Sequence, residues 1–347
     1  MRAPSLLLAS ALAFAGRASA CLGPPYLYLT MHGGEDKGEV NQVYIYSRDG
    51  CALGEALEEY TELNELRGMA LWGDSMLLAN ANRQESFIVQ YKGACRSMES
   101  MKEMRVIVPF GTPGIDHPYG VTTDRVRYLY VSTQGSNSVY RYFLTTGEAA
   151  PVSPALAEEG VKDEDYPGLF VQFDQKTDGT RNVAWHPEHK LLFIANKDEG
   201  VVVLDEDGYE QGRLDADKPI SVSYCEGRDS IFVSSKGDDS VSEWDPRTFE
   251  RLGKWKDWKL SHPAGLVCHE GSLFVVSQDK NSILEVDLES GKVWVVVDEL
   301  DDKGEQLTSS HADRCEACVI ESFSFSQEKY KGNFVQRKKA KQEEQLE

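Results

Sequence analysis

A short sequence pattern recurs along the chain and limits the folds that it can adopt. Each copy has an apolar segment, a tight turn, a strand that ends in small polar residues, a polar hairpin and a further strand. The aligned strands are residues 75–80, 128–133, 191–196, 230–235 and 272–277, and a sixth copy is residues 26–31. Repeats of roughly 40–50 residues with about four short strands each are typical of β-propellers. We therefore predict an all-β, six-bladed β-propeller with four-stranded antiparallel blades.

The third strand of each repeat is more variable but can also be located. Residues 138–143 alternate as expected for a strand that packs on one neighbour. The corresponding segments of the other repeats are residues 42–47, 86–91, 200–205, 240–245 and 282–287. The hairpins before these segments are rich in Gly, Asn, Asp and Lys, which suits tight turns. We name the four strands of a blade a to d, from the central axis outwards.

The first repeat lacks a strand a, because Pro24 and Pro25 lead directly into its strand b. An unpaired strand at this position would leave an exposed sheet edge, so another segment should complete the blade. Residues 316–321 resemble residues 263–268, which begin the last repeat. The sequence therefore predicts that a C-terminal strand closes the ring.

The beginning of the chain has the features of a secretory signal. Arg2 precedes a short apolar segment at residues 6–15, and Ala18 and Ala20 form an A-x-A cleavage pattern. No segment has the roughly 18 uncharged apolar residues of a membrane span. We predict a signal peptide at 1–20, a propeller domain at 21–326, a charged tail at 327–347 and export to an extracellular compartment. Lipid attachment at Cys21 is an alternative.

One insertion interrupts the repeats. Residues 146–168 are acidic and precede the outer strand of the third blade. Such a segment is typical of a solvated loop, and a lid over a binding site is the alternative.

Charge and cysteine content restrict the possible partners and folds. The formal net charge is −20, which disfavours nucleic acids and anionic membranes as partners, and we expect a monomer. The seven cysteines are too few for a disulfide scaffold. Cys21 is a disulfide candidate with either Cys315 or Cys318, although zinc binding or dithiol exchange is also open to a C-x-x-C pair. Cys225 and Cys268, on inner strands, are expected to be buried free thiols.

The strand directions predict where a binding site would lie. The d–a loops and the b–c hairpins should share one face, which we call the upper face, and a ring of polar residues should surround the axis there. The candidate ligand-binding residues are Arg67, His117, Tyr119, Arg181, Asn182, His262, Asn80, Asn196 and Gln134. Basic groups on an acidic protein favour a small anionic or polyhydroxylated ligand. Alternatively, these groups bond only to one another and to water.

The tryptophans of the fifth repeat are a further pattern to assign. Trp244, Trp255 and Trp258 follow one another in its outer part, where packing between strands is the expected role.

The strand and hairpin pattern resembles the NHL, YVTN and gluconolactonase (SMP-30-like) propeller superfamily over roughly residues 26–300. The resemblance implies either a binding module or a lactonase that holds a divalent cation through Glu, Asn and Asp. Asn182 matches the Asn position, whereas Ile220 stands at the Asp position and the first blade has no matching acid. The paraoxonase-like pattern is also incomplete around His117 and Tyr119.

Two functions follow from this reasoning. The first is a secreted, non-enzymatic propeller that binds a small ligand or a protein partner and needs no cofactor. The second is a lactonase- or esterase-like hydrolase with Ca²⁺ or another divalent cation at the axis near Asn182. Hard cations of this kind prefer carboxylate and amide oxygens. No nucleophile elbow, phosphate-binding loop or zinc-protease motif is present in the sequence.

Overall fold

The computed structural model describes residues 8–15, 26–32, 41–57, 63–82, 84–93, 101, 104–174 and 179–298. These residues form six four-stranded antiparallel sheets, each with four strands that are consecutive in the chain. The first three blades contain β1 (Leu8–Ala15), β2 (Tyr26–His32), β3 (Gln42–Ser47), β4 (Ala52–Glu55), β5 (Leu66–Trp72), β6 (Ser75–Asn80), β7 (Phe87–Lys92), β8 (Met104–Val108), β9 (Pro118–Thr123), β10 (Tyr128–Thr133), β11 (Ser138–Phe143) and β12 (Leu169–Gln172). The last three contain β13 (Thr180–His186), β14 (Leu191–Asn196), β15 (Gly200–Asp205), β16 (Glu210–Leu214), β17 (Pro219–Cys225), β18 (Ser230–Ser235), β19 (Ser240–Trp244), β20 (Arg251–Lys256), β21 (Pro263–His269), β22 (Ser272–Ser277), β23 (Ser282–Asp287) and β24 (Val293–Val297).

The six sheets form a closed ring. The innermost strands contact one another in the order β1, β5, β9, β13, β17, β21 and back to β1. The prediction of a six-bladed propeller with four-stranded blades is therefore confirmed. The b strands β6, β10, β14, β18 and β22 have the bounds that the sequence predicts.

The first blade is completed differently from our expectation. Its innermost strand is β1, which pairs antiparallel with β2 and lies within the segment predicted to be a signal peptide. The position that we assigned to a C-terminal strand is thus filled from the N-terminal end of the chain. Residues 316–321, the tail at 327–347 and the candidate cysteines Cys21, Cys315 and Cys318 lie outside the described residues.

The insertion at 146–168 is a loop on the face opposite the upper face, which we call the lower face. It contains the short exposed helix α1 (Pro154–Glu158), with Ser153 at the N-cap. The amide of Ala155 donates to the carbonyl of Asp207 in the c–d turn of the next blade, 3.1 Å away. The insertion follows strand c, whose end lies at the lower face, so it is not a lid over the upper face.

Helices are few and short. Besides α1, the described residues include the single 3₁₀ turn Gln278–Lys280. Within the described segments, no helix has the length and apolar character needed to span a bilayer.

Cys225 and Cys268 form a disulfide, so our expectation of free thiols is wrong. The two residues are 43 positions apart in sequence, but β17 and β21 are neighbours in the ring, and the two Cα atoms are 5.3 Å apart. This distance is within the range that a disulfide allows. The bond joins the fifth and sixth blades beside their shared apolar core.

The inner strands approach one another closely around the axis. A Cβ atom on Gly120 would lie 2.7 Å from the Cα atom of Asn182 in the next blade and 3.0 Å from Ser132 Oγ. Gly68 has the same relation to the third blade, where its Cβ would lie 2.5 Å from the carbonyl oxygen of Tyr119. Only glycine fits at these contacts between blades.

We expect Gly120→Ala to destabilise the protein by about 1–3 kcal/mol, because a methyl group there displaces backbone of the neighbouring blade. The control is Gly227→Ala, because a Cβ on Gly227 meets no atom within 4 Å. Urea unfolding of both variants measures the difference. Equal midpoints for Gly120→Ala and the wild type would show that the blades can separate without cost.

Candidate functional site

The upper face is built from one backbone arrangement that repeats around the ring. The residue before strand a is left-handed in four blades, with φ values of 54° at Glu65, 52° at His117, 50° at Lys218 and 50° at His262. Its carbonyl accepts a hydrogen bond from the first residue after strand b of the same blade, for example from the Gln134 amide to the His117 carbonyl at 3.0 Å. The same bond forms in all five blades from the second to the sixth, with Gly179 as the acceptor in the fourth. This bond places the d–a loops and the b–c hairpins on one face.

A β-bulge lies at the start of every inner strand from β5 to β21. The pairing register with strand b shifts just after the first residue of each of these strands. A bulge redirects a side chain, and bulges are frequent beside binding sites. The side chains at the shifted positions are Arg67, Tyr119, Arg181, Ile220 and Ala264, and we call these five residues the hub.

Two arginines and one tyrosine of the hub contact one another. The guanidinium carbon of Arg67 is 5.1 Å from the centre of the Tyr119 ring, and that of Arg181 is 5.3 Å from the same ring. Cations at this distance are attracted by the electron-rich face of the ring. Tyr119 and Arg181 are buried and Arg67 is half-buried. The second, third and fourth blades therefore hold two positive charges together near the axis.

Hydroxyl groups from alternate blades fix the backbone of the hub. Thr30 Oγ1 donates to the Arg67 carbonyl at 2.9 Å, and Ser234 Oγ donates to the Ala264 carbonyl at 2.7 Å. Ser132 Oγ donates in the same way to the carbonyl of Arg181. Each bond runs from strand b of one blade to the inner strand of the next, so the hub has little freedom to move.

His117 lies below the upper surface. Its side chain is buried, and Nδ1 is 3.8 Å from Glu65 Oε2 in the preceding blade. Its backbone amide donates to Ser86 Oγ at 3.1 Å. The residue therefore joins the second and third blades, and its ring is too buried to be a surface contact for a ligand.

His262 is half-buried at the rim of the same face. Its amide donates to Asp239 Oδ1 at 2.7 Å, and its Nδ1 atom is 3.4 Å from Asp279 Oδ1. Burial, followed by the nearby Lys236 charge, lowers the pKa of His262 and outweighs the opposite effect of Asp279. We therefore assign the neutral imidazole to pH 7.

The predicted asparagine and glutamine side chains differ in burial. Asn80 and Asn196 are fully buried and hold their own hairpins: Asn80 Nδ2 donates to the Glu85 carbonyl, and Asn196 Oδ1 accepts from the Asp198 amide at 3.0 Å. Gln134 and Asn182 are half-buried. The side chain of Asn182 has no hydrogen-bond partner among the described residues. Asn182 and Gln134 thus remain candidates for ligand contact, whereas Asn80 and Asn196 are structural.

Three side chains with metal-binding potential meet on the lower face, away from Asn182. In the part of the chain that the structure describes, His186, His189 and Asp229 are the only group of three His, Cys or acidic residues within ligand distance. His186 Nε2 is 3.0 Å from Asp229 Oδ1, and the amide of His189 donates to His186 Nδ1. Arg247 donates to both His189 Nε2 at 2.9 Å and Asp229 Oδ2 at 3.0 Å.

These bonds use the atoms that a metal ion would need. His186 Nδ1 accepts a bond, so Nε2 carries the proton and donates to Asp229. The Arg247 guanidinium also places a positive charge beside both remaining ligands. This group therefore links the fourth and fifth blades through hydrogen bonds, and we call it the clasp. The calcium alternative at Asn182 stays a prediction.

Of the three tryptophans assigned to packing, Trp258 does not pack. Trp244 is 4% exposed and Trp255 lies against the core between the fifth and sixth blades, but Trp258 is 77% exposed on the upper face. The sequence contains a signal for this, since both residues adjacent to Trp258, Asp257 and Lys259, are charged.

Comparisons with known proteins agree with the fold. The chain is similar to the propeller in a nidogen–laminin complex, with a TM-score of 0.54, 13% identity, 83% of this chain covered and 90% of the other. It is also similar to virginiamycin B lyase from Staphylococcus aureus, with a TM-score of 0.54, 9% identity and 83% of each chain covered. A catalytically inactive histidine-to-alanine variant of that lyase with quinupristin gives a TM-score of 0.55, 10% identity and coverage of 84% and 85%.

Sequence comparison adds no family. No family model matches the chain, and no curated protein matches it significantly in sequence. Identities of 9–13% establish the propeller architecture alone, so the function has to be argued from the residues of this chain.

The clasp on the lower face predicts a pH dependence of stability. Burial, and then the neighbouring His189, lower the pKa of His186 in the folded state. The unfolded chain, with a histidine pKa of about 6.5, therefore binds the proton more readily, and stability falls as the pH drops from about 6.5 towards the folded value. We expect the urea midpoint to fall between pH 7 and pH 5, and His186→Gln to reduce this fall. A midpoint that is constant over this range would contradict the prediction.

Proposed function

We propose that this protein is a non-enzymatic binding propeller that holds the anionic group of a small ligand or protein partner at the hub. The observation that carries the proposal is the contact of Arg67 and Arg181 with the same tyrosine ring. A guanidinium stays charged at all physiological pH values, and its planar donors match carboxylate and phosphate oxygens. Two such groups near the axis form a positively charged site on a protein whose net charge is −20.

The rigidity of the hub supports binding. The bulges and the hydroxyl groups of Thr30 and Ser132 fix the backbone from which both arginine side chains project. A preorganised site loses less conformational freedom when it binds. Ile220 and Ala264 in the fifth and sixth blades are buried with Tyr119 in one apolar cluster, which helps to fix the ring that both arginines contact.

The hydrolase alternative has weaker support. Asn182 lies in the bulge of β13 beside Arg181, and its amide is available for a ligand. A cation there would experience the positive charge of Arg181 on the adjacent residue. Virginiamycin B lyase carries the name of an enzyme and nidogen is found in a complex with laminin, so the shared fold serves both kinds of function.

We also propose export from the cytoplasm and membership of the NHL and SMP-30-like propellers. The leader pattern at residues 1–20 supports export, and the disulfide between Cys225 and Cys268 suits an oxidising compartment. Cleavage after Ala20 would remove β1 from the first blade. The exported chain would then need a different strand beside β2, for which residues 316–321 are our candidate.

Thermal shift with citrate and inorganic phosphate tests the hub. We expect these anions to raise the melting temperature of the wild type by a few degrees, since binding to the folded state alone stabilises it. Arg67→Gln and Arg181→Gln should each reduce the shift, and the double variant should abolish it. Arg251→Gln is the control, because Arg251 stacks on Trp244 in an outer strand, with 5.6 Å between guanidinium and ring centre.

Two results would contradict the anion site: an equal loss of the shift in Arg251→Gln, or no shift with any anion. A calcium titration distinguishes the alternative. If calcium raises the melting temperature and Asn182→Ala removes that increase, the hydrolase becomes the preferred function.

The leader is tested by the intact mass of protein collected outside expressing cells. We expect a mass that lacks residues 1–20, because the A-x-A pattern precedes Cys21. Full-length mass in the medium, or retention of the whole chain inside the cells, would contradict export by this signal.

A further inference from the structure

Trp258 is the most exposed aromatic side chain among the described residues, with 77% of its surface accessible. It lies in the loop between β20 and β21 on the upper face, away from the hub. Lys259 Nζ lies over one face of the indole, 5.1 Å from the ring centre, and most of the remaining apolar surface is left open to water. Single exposed apolar residues are common on proteins, so the surroundings of Trp258 decide whether it has a role.

The loop that carries Trp258 is held in place by its own hydrogen bonds. The amide of Lys259 donates to Asp257 Oδ1 at 2.9 Å, and the amide of Leu260 donates to the Asp257 carbonyl at 3.0 Å. Ser277 Oγ donates to the Lys259 carbonyl at 2.7 Å, and Leu260 is buried. The exposure of the indole is therefore a property of a fixed loop.

A hollow of about 390 Å³ lies beside the indole, between the fifth and sixth blades. It is a shallow depression open to solvent, so a ligand would contact it mainly through one face. Asp238, Asp239, Lys256, Ser261 and Lys280 line it together with Trp258. The hollow thus combines one aromatic platform with hydrogen-bond donors and acceptors.

The charges of the hollow balance one another. Lys256 Nζ is 3.0 Å from Asp238 Oδ2, and Lys254 contacts the same carboxylate oxygen. Burial alone would raise the pKa of Asp238, but hydrogen bonds from Lys254, Ser240 and Lys256 outweigh it and lower the value to about 2. Lys259 Nζ is 3.3 Å from Asp257 Oδ1. A charged ligand would meet groups of both signs here, so its net electrostatic attraction to the hollow would be small.

An exposed indole lies here beside paired charges of both signs. We infer from this that the hollow beside Trp258 binds a neutral saccharide. The apolar face of a pyranose ring is flat enough to lie on the indole, while its hydroxyl groups both donate and accept hydrogen bonds. Carboxylates that are already ionised can accept from these hydroxyls, and lysine ammonium groups can donate to them. A wholly apolar ligand would exclude water from these charged pairs and form no hydrogen bond in return.

This site is separate from the hub in residues and in ligand chemistry. It draws on the fifth and sixth blades, whereas the hub arginines belong to the second and fourth. The two proposals can therefore fail independently of each other.

The test is a glycan array of neutral, sialylated and sulfated glycans probed with the full chain, followed by calorimetry with the neutral oligosaccharides that bind. We expect binding to neutral glycans and a loss of about tenfold or more in affinity for Trp258→Ala. Trp258→Phe should restore part of it, since a phenyl ring keeps a smaller platform. The control is Trp294→Ala, which removes a 45% exposed tryptophan on β24 that lines a different surface.

Several results would overturn the inference. These are no binding to any neutral glycan, binding confined to sialylated or sulfated glycans, or equal affinity in Trp258→Ala and the wild type. Capture of a protein partner that depends on Trp258, with no glycan bound, would also reassign the hollow. Because Trp258 is exposed, its substitution leaves the folded core unchanged, and the hub variants Arg67→Gln and Arg181→Gln should retain glycan binding.

Discussion

The fold depends on apolar surface that each blade can bury only against its two neighbours. Six hydrophobic clusters lie at the six blade interfaces, and five of them contain residues of two adjacent blades. The cluster between the sixth and first blades also includes Tyr119 and Ile220 from the third and fifth blades. In strand b of the second blade, Leu78 packs towards the first blade and Leu77 towards the third. No blade has a core of its own, so the stability of each depends on a closed ring. The position of every hub residue depends on the same closure.

The strand bounds could be predicted because this packing has a strong sequence signature. Strand b is buried on both faces, so it reads as a short apolar run that ends in Asn, Ser or Thr at a fixed place. The first blade shows the limit of that reasoning. The need for a fourth strand was evident, but residues 8–15 have an apolar composition that suits both a leader and an inner strand. Cys225 and Cys268 were missed because adjacency in the ring, at a sequence separation of 43, is not visible in their local context.

The sequence could predict the face of the candidate site and three of the five hub residues, but not which of the other polar side chains turn inwards. The d–a loops and b–c hairpins do share the upper face, yet His117 and Asn80 are used inside the protein. Whether a polar side chain at a strand end turns inwards or outwards depends on the bulge next to it. The bulges at Arg67 and Arg181 are not marked by a characteristic residue in the sequence. Trp258 was misread because its outer-strand neighbours Trp244 and Trp255 do pack.

The left-handed residues that precede the inner strands have a consequence for how the chain can be improved. Glu65, His117, Lys218 and His262 hold a backbone conformation that costs a non-glycine residue about 1 kcal/mol or more. Glycine would relieve that strain at each of the four positions, yet an ionisable side chain occupies every one. Glycine at all four positions would therefore relax the backbone but remove these side chains, including the contact of Glu65 with His117 that joins the second and third blades.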